Sequence, residues 1–272
     1  KTTATRVYKK EPLYFSTLNP NKEQISCVIL TDIHEDSELT GKLLDKVELE
    51  KKDFVLINGD FVDWFNNDED LYGAIDTCVD VFAKEKPLYI VRGNHETRGT
   101  KAPLLNKYFH FPNNKYYYTF SYGTTFFIVL DSGEDKPDSD IEYSGLADFD
   151  LYRSEQAKWL VEVVESKEYI MAKQKIVFMH MPPYLDENDW HGTLDIKKKF
   201  MPILNKASVN LMLCGHTHKY SFIPAKVGEN NFPIIIQDNN AITNLSIDSD
   251  GIKVKMINED SEIISDMLFE IK

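Results

Sequence analysis

Between residues 211 and 220 the chain reads LMLCGHTHKY, an apolar run that ends in Gly215 and then presents His216 and His218 one residue apart. Alternate side chains of an extended segment point the same way, so both imidazoles can meet at one point. An H-x-H pair alone is more often a solvated turn; it gains meaning from partners elsewhere. Four other apolar runs end in a comparable way. ISCVIL (25–30) leads to Asp32 and His34, FVLI (54–57) to Asp60 and Asp63, PLYIV (87–91) to Asn94 and His95, and KIVFM (175–179) to His180. Five of the seven histidines fall in this set, so imidazole is concentrated where strands end.

Each residue has a bland reading: Asp32 as a helix cap, Asn94 as a turn residue, His180 as a satisfied core histidine. The set as a whole does not. Imidazoles enclosed with two carboxylates call for cations to offset desolvation and crowding. Seven side chains, with His95 left aside, are too many for one tetrahedral ion. They suit two ions sharing a carboxylate, with Asp60 as the bridge because it comes from a middle strand. Two carboxylates leave such a pair of divalent ions positive, which favours an anionic, phosphate-like substrate. Paired ions about 3.5–4 Å apart clamp the attacking and leaving oxygens of an in-line displacement and lower the pKa of bound water. Mixed nitrogen and oxygen ligation suits Mn, Fe or Zn better than Mg or Ca.

The elements that must position these residues are legible in outline. Apolar runs alternate with helical stretches, LTGKLLDKVELEKK (39–52) and another near 69–84, as expected of βαβ units in a largely parallel, covered sheet. The spacings of 28 residues from Asp32 to Asp60 and 34 from Asp60 to Asn94 match such units. Ligand sites in open α/β sheets form beyond the carboxyl ends of parallel strands. Gly59 and Gly93 each precede a candidate ligand, where the backbone must turn sharply and come close. Further on, KYYYTFSYGTTFFIVLD (115–131) reads as a hairpin about Tyr122 and Gly123. Residues 132–150 read as an acidic loop, and SEQAKWLVEVVES (154–166) as a helix with Ser154 at its N-cap. PIIIQ (233–237), AITNLSI (241–247) and IKVKMI (252–257) read as consecutive antiparallel strands. We expect one domain over 25–272, preceded by an arm or strand over 1–24.

With 272 residues and 42% hydrophobic side chains the chain can bury a large core, and no apolar run is long enough to cross a bilayer as a helix. The net charge of −13 disfavours a nucleic-acid partner, whose affinity rests on Lys and Arg neutralising phosphates. Cys27, Cys78 and Cys214 are an odd set without a C-x-x-C and read as buried free thiols.

Taken in order, D-x-H (32–34), G-D-x-x-D (59–63), G-N-H-E (93–96), the lone His180 and G-H-x-H (215–218) resemble the calcineurin-like metallophosphoesterases. The resemblance spans roughly residues 25–220. It implies a four-layer α/β/β/α sandwich with two mixed sheets, acting as a dinuclear phosphoesterase that hydrolyses mono- or diesters with a metal-bridging hydroxide. Carried over residue by residue, Asp32, His34, Asp60 and His218 would hold one ion, and Asp60, Asn94, His180 and His216 the other. His95 would stand near the leaving oxygen as general acid or electrostatic stabiliser.

S-E-Q-x-x-W-L (154–160) is similar to the purple acid phosphatase branch. That branch places a ligating Tyr where this chain has Asp63 and an Asp where it has His34, so the tyrosinate-to-iron colour is expected to be absent. Asp63 is instead expected to accept a hydrogen bond from a ligand histidine. Arg98 and Tyr184 are weaker candidates for substrate contact, Trp190 and His191 for pocket lining, and His110 reads as structural. The expected partner is a small phosphate ester bound through loops 132–150 and 182–195. A location outside the cytoplasm, periplasmic or secreted, is the further expectation. The alternatives are a catalytically idle interaction module of the same fold and a structural zinc site at Cys214, His216 and His218. The second suffers because strand alternation turns Cys214 away from the histidines.

Overall fold

The computed structural model describes residues 12, 14–15, 19, 22–184 and 189–270. Along the chain come β1 (Ile25–Leu30), α1 (Ser37–Leu44), β2 (Phe54–Asn58), α2 (Asp68–Cys78) and β3 (Leu88–Val91). The hairpin follows as β4 (Tyr118–Tyr122) and β5 (Thr125–Leu130), then α3 (Phe149–Val164), α4 (Lys167–Met171) and β6 (Gln174–Met179). The last third holds α5 (His191–Lys199), α6 (Met201–Leu204), β7 (Leu211–Cys214), β8 (Ser221–Ile223) and β9 (Ile234–Ile236). It closes with β10 (Ala241–Ile247), β11 (Ile252–Asn258) and β12 (Ile263–Phe269).

These strands make two six-stranded mixed sheets, ordered β12-β11-β10-β1-β2-β3 and β4-β5-β6-β7-β9-β8. In the first, β1, β2 and β3 run parallel; in the second, β5, β6, β7 and β9 do. Side-chain alternation divides the second sheet cleanly. Phe127 and Val129 of β5 join the core shared with the first sheet, while Phe126, Ile128 and Leu130 pack in a core with Leu160, Tyr169, Ile196 and Phe200 of the helices. Phe54 meets Phe120 and Phe127 edge-on across the two sheets. Leu43 of α1 and Leu71 and Ala74 of α2 belong to the first core, on the outer side of β1–β3. The result is the α/β/β/α sandwich.

Several expectations need correction. Helix α3 begins at Phe149, and Ser154 lies inside it with its hydroxyl donating to Asp150 O at 2.7 Å. The capping acceptor comes from further off: the Asp138 carboxylate takes the N–H groups of Phe149 (2.8 Å) and Asp150 (3.0 Å). A helix start satisfied from eleven residues away leaves no local signature. Helix α1 starts at Ser37, capped by Asp36, and stops at Leu44, with a separate 3-10 turn at Leu49–Lys51. Helix α2 ends at Cys78 and passes into a wider π turn at Val79–Ala83. PIIIQ is not antiparallel to the strand after it: β9 pairs parallel with β7 in the second sheet, while β10 pairs with β1 in the first. Strands β8 and β12 were not foreseen; both mix exposed and half-buried positions. Most of the expected N-terminal arm lies outside the described residues.

Candidate metal centre

The loops after β1 and β2 continue the sheet's pairing, with Asp32 N donating to Gly59 O (3.0 Å) and His34 N to Asp60 O (3.1 Å). The loops after β6 and β7 do the same through Gly215 N to His180 O at 2.8 Å. The two sheets are joined beneath the loops by Asn58, whose amide donates to Leu213 O (3.2 Å) and Gln237 Oε1 (3.1 Å). Its carbonyl accepts from His180 Nδ1 at 2.7 Å and Thr31 Oγ1 at 3.1 Å. Glu96 ties the β2 loop to the β3 loop. Its buried carboxylate accepts the backbone N–H groups of Asp60, Phe61, Val62 and Gly93 at 2.6–3.0 Å. Burial, then the charge of Asp60, pushes the Glu96 carboxyl up to about 7, against four donors that favour its ionised form.

On this frame the structure brings together all seven residues expected as ligands. Asp32, His34, Asp60 and His218 form one group, and Asp60, His180 and His216 another, each with its donor atoms within 4.8 Å. Asn94 joins the second group, its Oδ1 3.0 Å from His216 Nδ1. His218 Nε2 lies 3.3 Å from Asp32 Oδ1 and 3.2 Å from His34 Nε2. Asp32, His34, Asp60, His216 and His218 all have left-handed φ, between 42° and 74°. For non-glycine residues that conformation costs about 1–3 kcal/mol each and persists where the surroundings impose it, often at functional sites. A side chain at Gly59 would collide with the His180 ring, and one at Gly93 with Asp60, so both positions need glycine.

The donor chemistry fits cations. His180 is fully buried; its Nδ1–H donates to the Asn58 carbonyl, which leaves Nε2 a bare lone pair. That atom has no hydrogen bond and lies 3.0 Å from Asp60 Oδ2 and 3.7 Å from Asp32 Oδ1. A lone pair facing two carboxylate oxygens is stable only with positive charge between them, a proton or a metal. Burial alone would lower the imidazolium pKa, but Asp60 and Asp32 overrule it and raise His180 to about 10. His216 goes the other way, down to about 4, through burial and then His180. Against their burial, Asp32 and Asp60 are held below the usual carboxylate range, His180 being the main cause for both.

The remaining predicted residues divide. Asp63 Oδ1 sits 2.6 Å from His34 Nδ1, which leaves His34 Nε2 facing the cluster. His95 lies beside it, with N donating to Asp60 Oδ1 (3.1 Å), Nδ1 donating to Asp63 O (2.9 Å) and Nε2 3.9 Å from Asp60 Oδ2. His34, Asp63 and His95 could themselves group around an ion, but these contacts already engage the Asp63 carboxylate and the His95 Nδ1. Arg98 is held in a bidentate pair with Glu134 at 2.8 and 2.9 Å, and its Nη1 donates to His95 Nε2 at 3.1 Å. Trp190 stands edge-on to the His216 ring, centroids 5.5 Å apart. Tyr184 is placed elsewhere: its hydroxyl donates to Glu229 O at 2.6 Å and its ring lies under Lys197. His191 Nε2 is 2.8 Å from Asp150, and His110 is exposed. The three cysteines are buried and free. Sequence reasoning missed Asn58 and Glu96; the signals were a polar residue closing an apolar strand and the acid of GNHE.

The chain is similar in sequence and in fold to known proteins. A purple acid phosphatase of Arabidopsis thaliana, described as probable, is 24% identical over 218 residues, which are 74% of this chain and 47% of that protein. The chain thus spans about half the length of that relative. A dimetal phosphatase of Danio rerio superposes with a TM-score of 0.68 at 14% identity, over 91% of this chain and 99% of that one. GAP50, the anchor in the inner membrane complex of Plasmodium, superposes with a TM-score of 0.61 at 19% identity, covering 92% and 90%. The calcineurin-like phosphoesterase family matches residues 25–220, and the chain belongs to that family.

Proposed function

We propose that the chain is a dinuclear metal-dependent phosphoesterase that hydrolyses phosphate mono- or diesters. The observation that carries this reading is the buried His180 Nε2 set against two carboxylates, within donors delivered from five strand ends. Asp32, His34, Asp60 and His218 would hold one ion and Asp60, Asn94, His180 and His216 the other, with Asp60 shared. Ions of the Mn, Fe or Zn type supply Lewis acidity and an activated water when bound.

The chain's own residues do the rest. Glu96 fixes the backbone that presents Asp60. The Asp63 carboxylate stands against His34 Nδ1 at ion-pair distance, and its carbonyl holds the tautomer of His95. His95 Nε2 is then the atom that faces a leaving oxygen, which on arrival replaces Arg98 Nη1 as its partner. A protonated His95 donates to that oxygen; a neutral one leaves the work to the positive surroundings. GAP50, the anchor in the inner membrane complex of Plasmodium, shares the fold. Here every expected ligand position and His95 are filled, which favours catalysis over an idle interaction module.

The test combines elemental analysis with a panel of aryl phosphate mono- and diesters, with and without chelator. Wild-type protein should carry two ions per chain and lose turnover with chelator. His95→Ala should keep both ions while turnover falls about 10²–10³-fold. Two bound ions with no hydrolysis of any ester would favour the interaction module.

A further inference from the structure

A cleft of about 690 Å³ opens beside the cluster, and none of the expected ligand residues lines it. One wall is the paired loops after β2 and β3, where Phe65 N donates to Arg98 O (3.0 Å) and Lys101 N to Phe65 O (2.9 Å). The opposite wall is the segment before α3, whose start is fixed by Asp138. The cleft meets the cluster at Arg98, which lines it and donates to His95 Nε2.

Its lining is aromatic, with Trp64, Tyr116, Tyr143, Phe149 and Tyr152, and Leu146 adds an aliphatic tip that is 90% exposed. Neither arginine in the wall offers free charge. Arg98 is engaged bidentately by Glu134, and Arg92 is bound to Asp131 at 2.6–2.8 Å beneath the Tyr116 ring. Three carboxylates, Glu134, Glu142 and Asp148, line the same space, and Glu142 is engaged by Lys136. A second phosphate would meet no uncommitted cation here. A flat uncharged ring would meet stacking surface, in a volume typical of small-molecule sites.

We infer that this cleft is the subsite for the alcohol portion of the ester and that it takes an uncharged aromatic group. The inference rests on the phosphoesterase reading and names its substrate class. It follows from continuity: an ester whose leaving oxygen sits at His95 Nε2 has its organic part at Arg98, the mouth of the cleft.

The test compares 2-naphthylmethyl phosphate with n-butyl phosphate, whose alcohols are of similar acidity, so recognition decides the difference. We expect kcat/KM to favour the naphthylmethyl ester about thirtyfold. Trp64→Ala and Leu146→Glu should each bring the ratio to within about threefold of unity. A parallel arm titrates 2-naphthalenemethanol into wild-type and Leu146→Glu protein by calorimetry, with binding expected in the first and lost in the second. Equal kcat/KM for the two esters, a ratio unmoved in both variants, or no binding of the alcohol to wild type overturns the subsite. Failure to hydrolyse either ester sinks the monoester half of the phosphoesterase reading instead, and the binding arm then still decides whether the cleft takes an aromatic alcohol.

Discussion

The two halves of the cluster differ in depth. Around His180 and Asn94 the donors are 0% and 2% exposed and are locked by Asn58 and His216. Around His34 and His218 the side chains are 17% and 48% exposed, and the orienting partner of His34, Asp63, is itself 58% exposed. A buried donor set loses little freedom on binding a cation and is poorly supplied with competing water. An open set gives up its ion more readily. The inner position should therefore be the tighter one, and the outer position the exchangeable one.

The strongest way to break this contrast is to remove what the halves share. Asp60→Asn should lower metal content below one ion per chain and reduce turnover by about 10³-fold or more; elemental analysis showing one tight ion would mean Asp60 serves a single position. His34→Asn should cost about 10²-fold in turnover while one ion stays bound. If His34→Asn empties both positions, the halves are not independent. Asp63→Ala should weaken only the exchangeable ion, by about 10–100-fold in a competition titration against a chelating dye.

The smallest effect concerns the metal-free protein. His180 has a folded pKa of about 10, above its ordinary 6.5. The stability it contributes is complete below about pH 6.5 and is lost as pH rises through about 10. The melting temperature of metal-free protein should therefore fall over that alkaline range, and His180→Asn should flatten the trend. Loaded protein should not follow it, since the cation replaces the proton.

The sequence made the donor residues legible because each stands where an apolar run gives way to polar residues, and five such places share one end of a parallel arrangement. What orients them was much harder to read. Glu96 bonds backbone N–H groups up to 36 residues away, and Asn58 reaches Leu213 and Gln237 across 155 and 179 residues. Such partners exist only once the sheets have met. The same holds for Asp138, which starts α3 from across a loop and moved that helix five residues ahead of its expected cap. The misplacement of PIIIQ has a different cause: three consecutive buried isoleucines mark a strand without saying which sheet receives it.

The seam at Asn58 has a mechanical consequence. Asp32 and Asp60 ride on one layer, His180 and His216 on the other, so the span between these donors is gauged by how far apart the layers stand. Phe54, at the other end of β2, and Phe127 act as shims between the layers. Enlarging or shaving either ring would alter the bite of the pincer without touching any of its donors, which makes the interior of the sandwich a tuning element for the cluster at its rim.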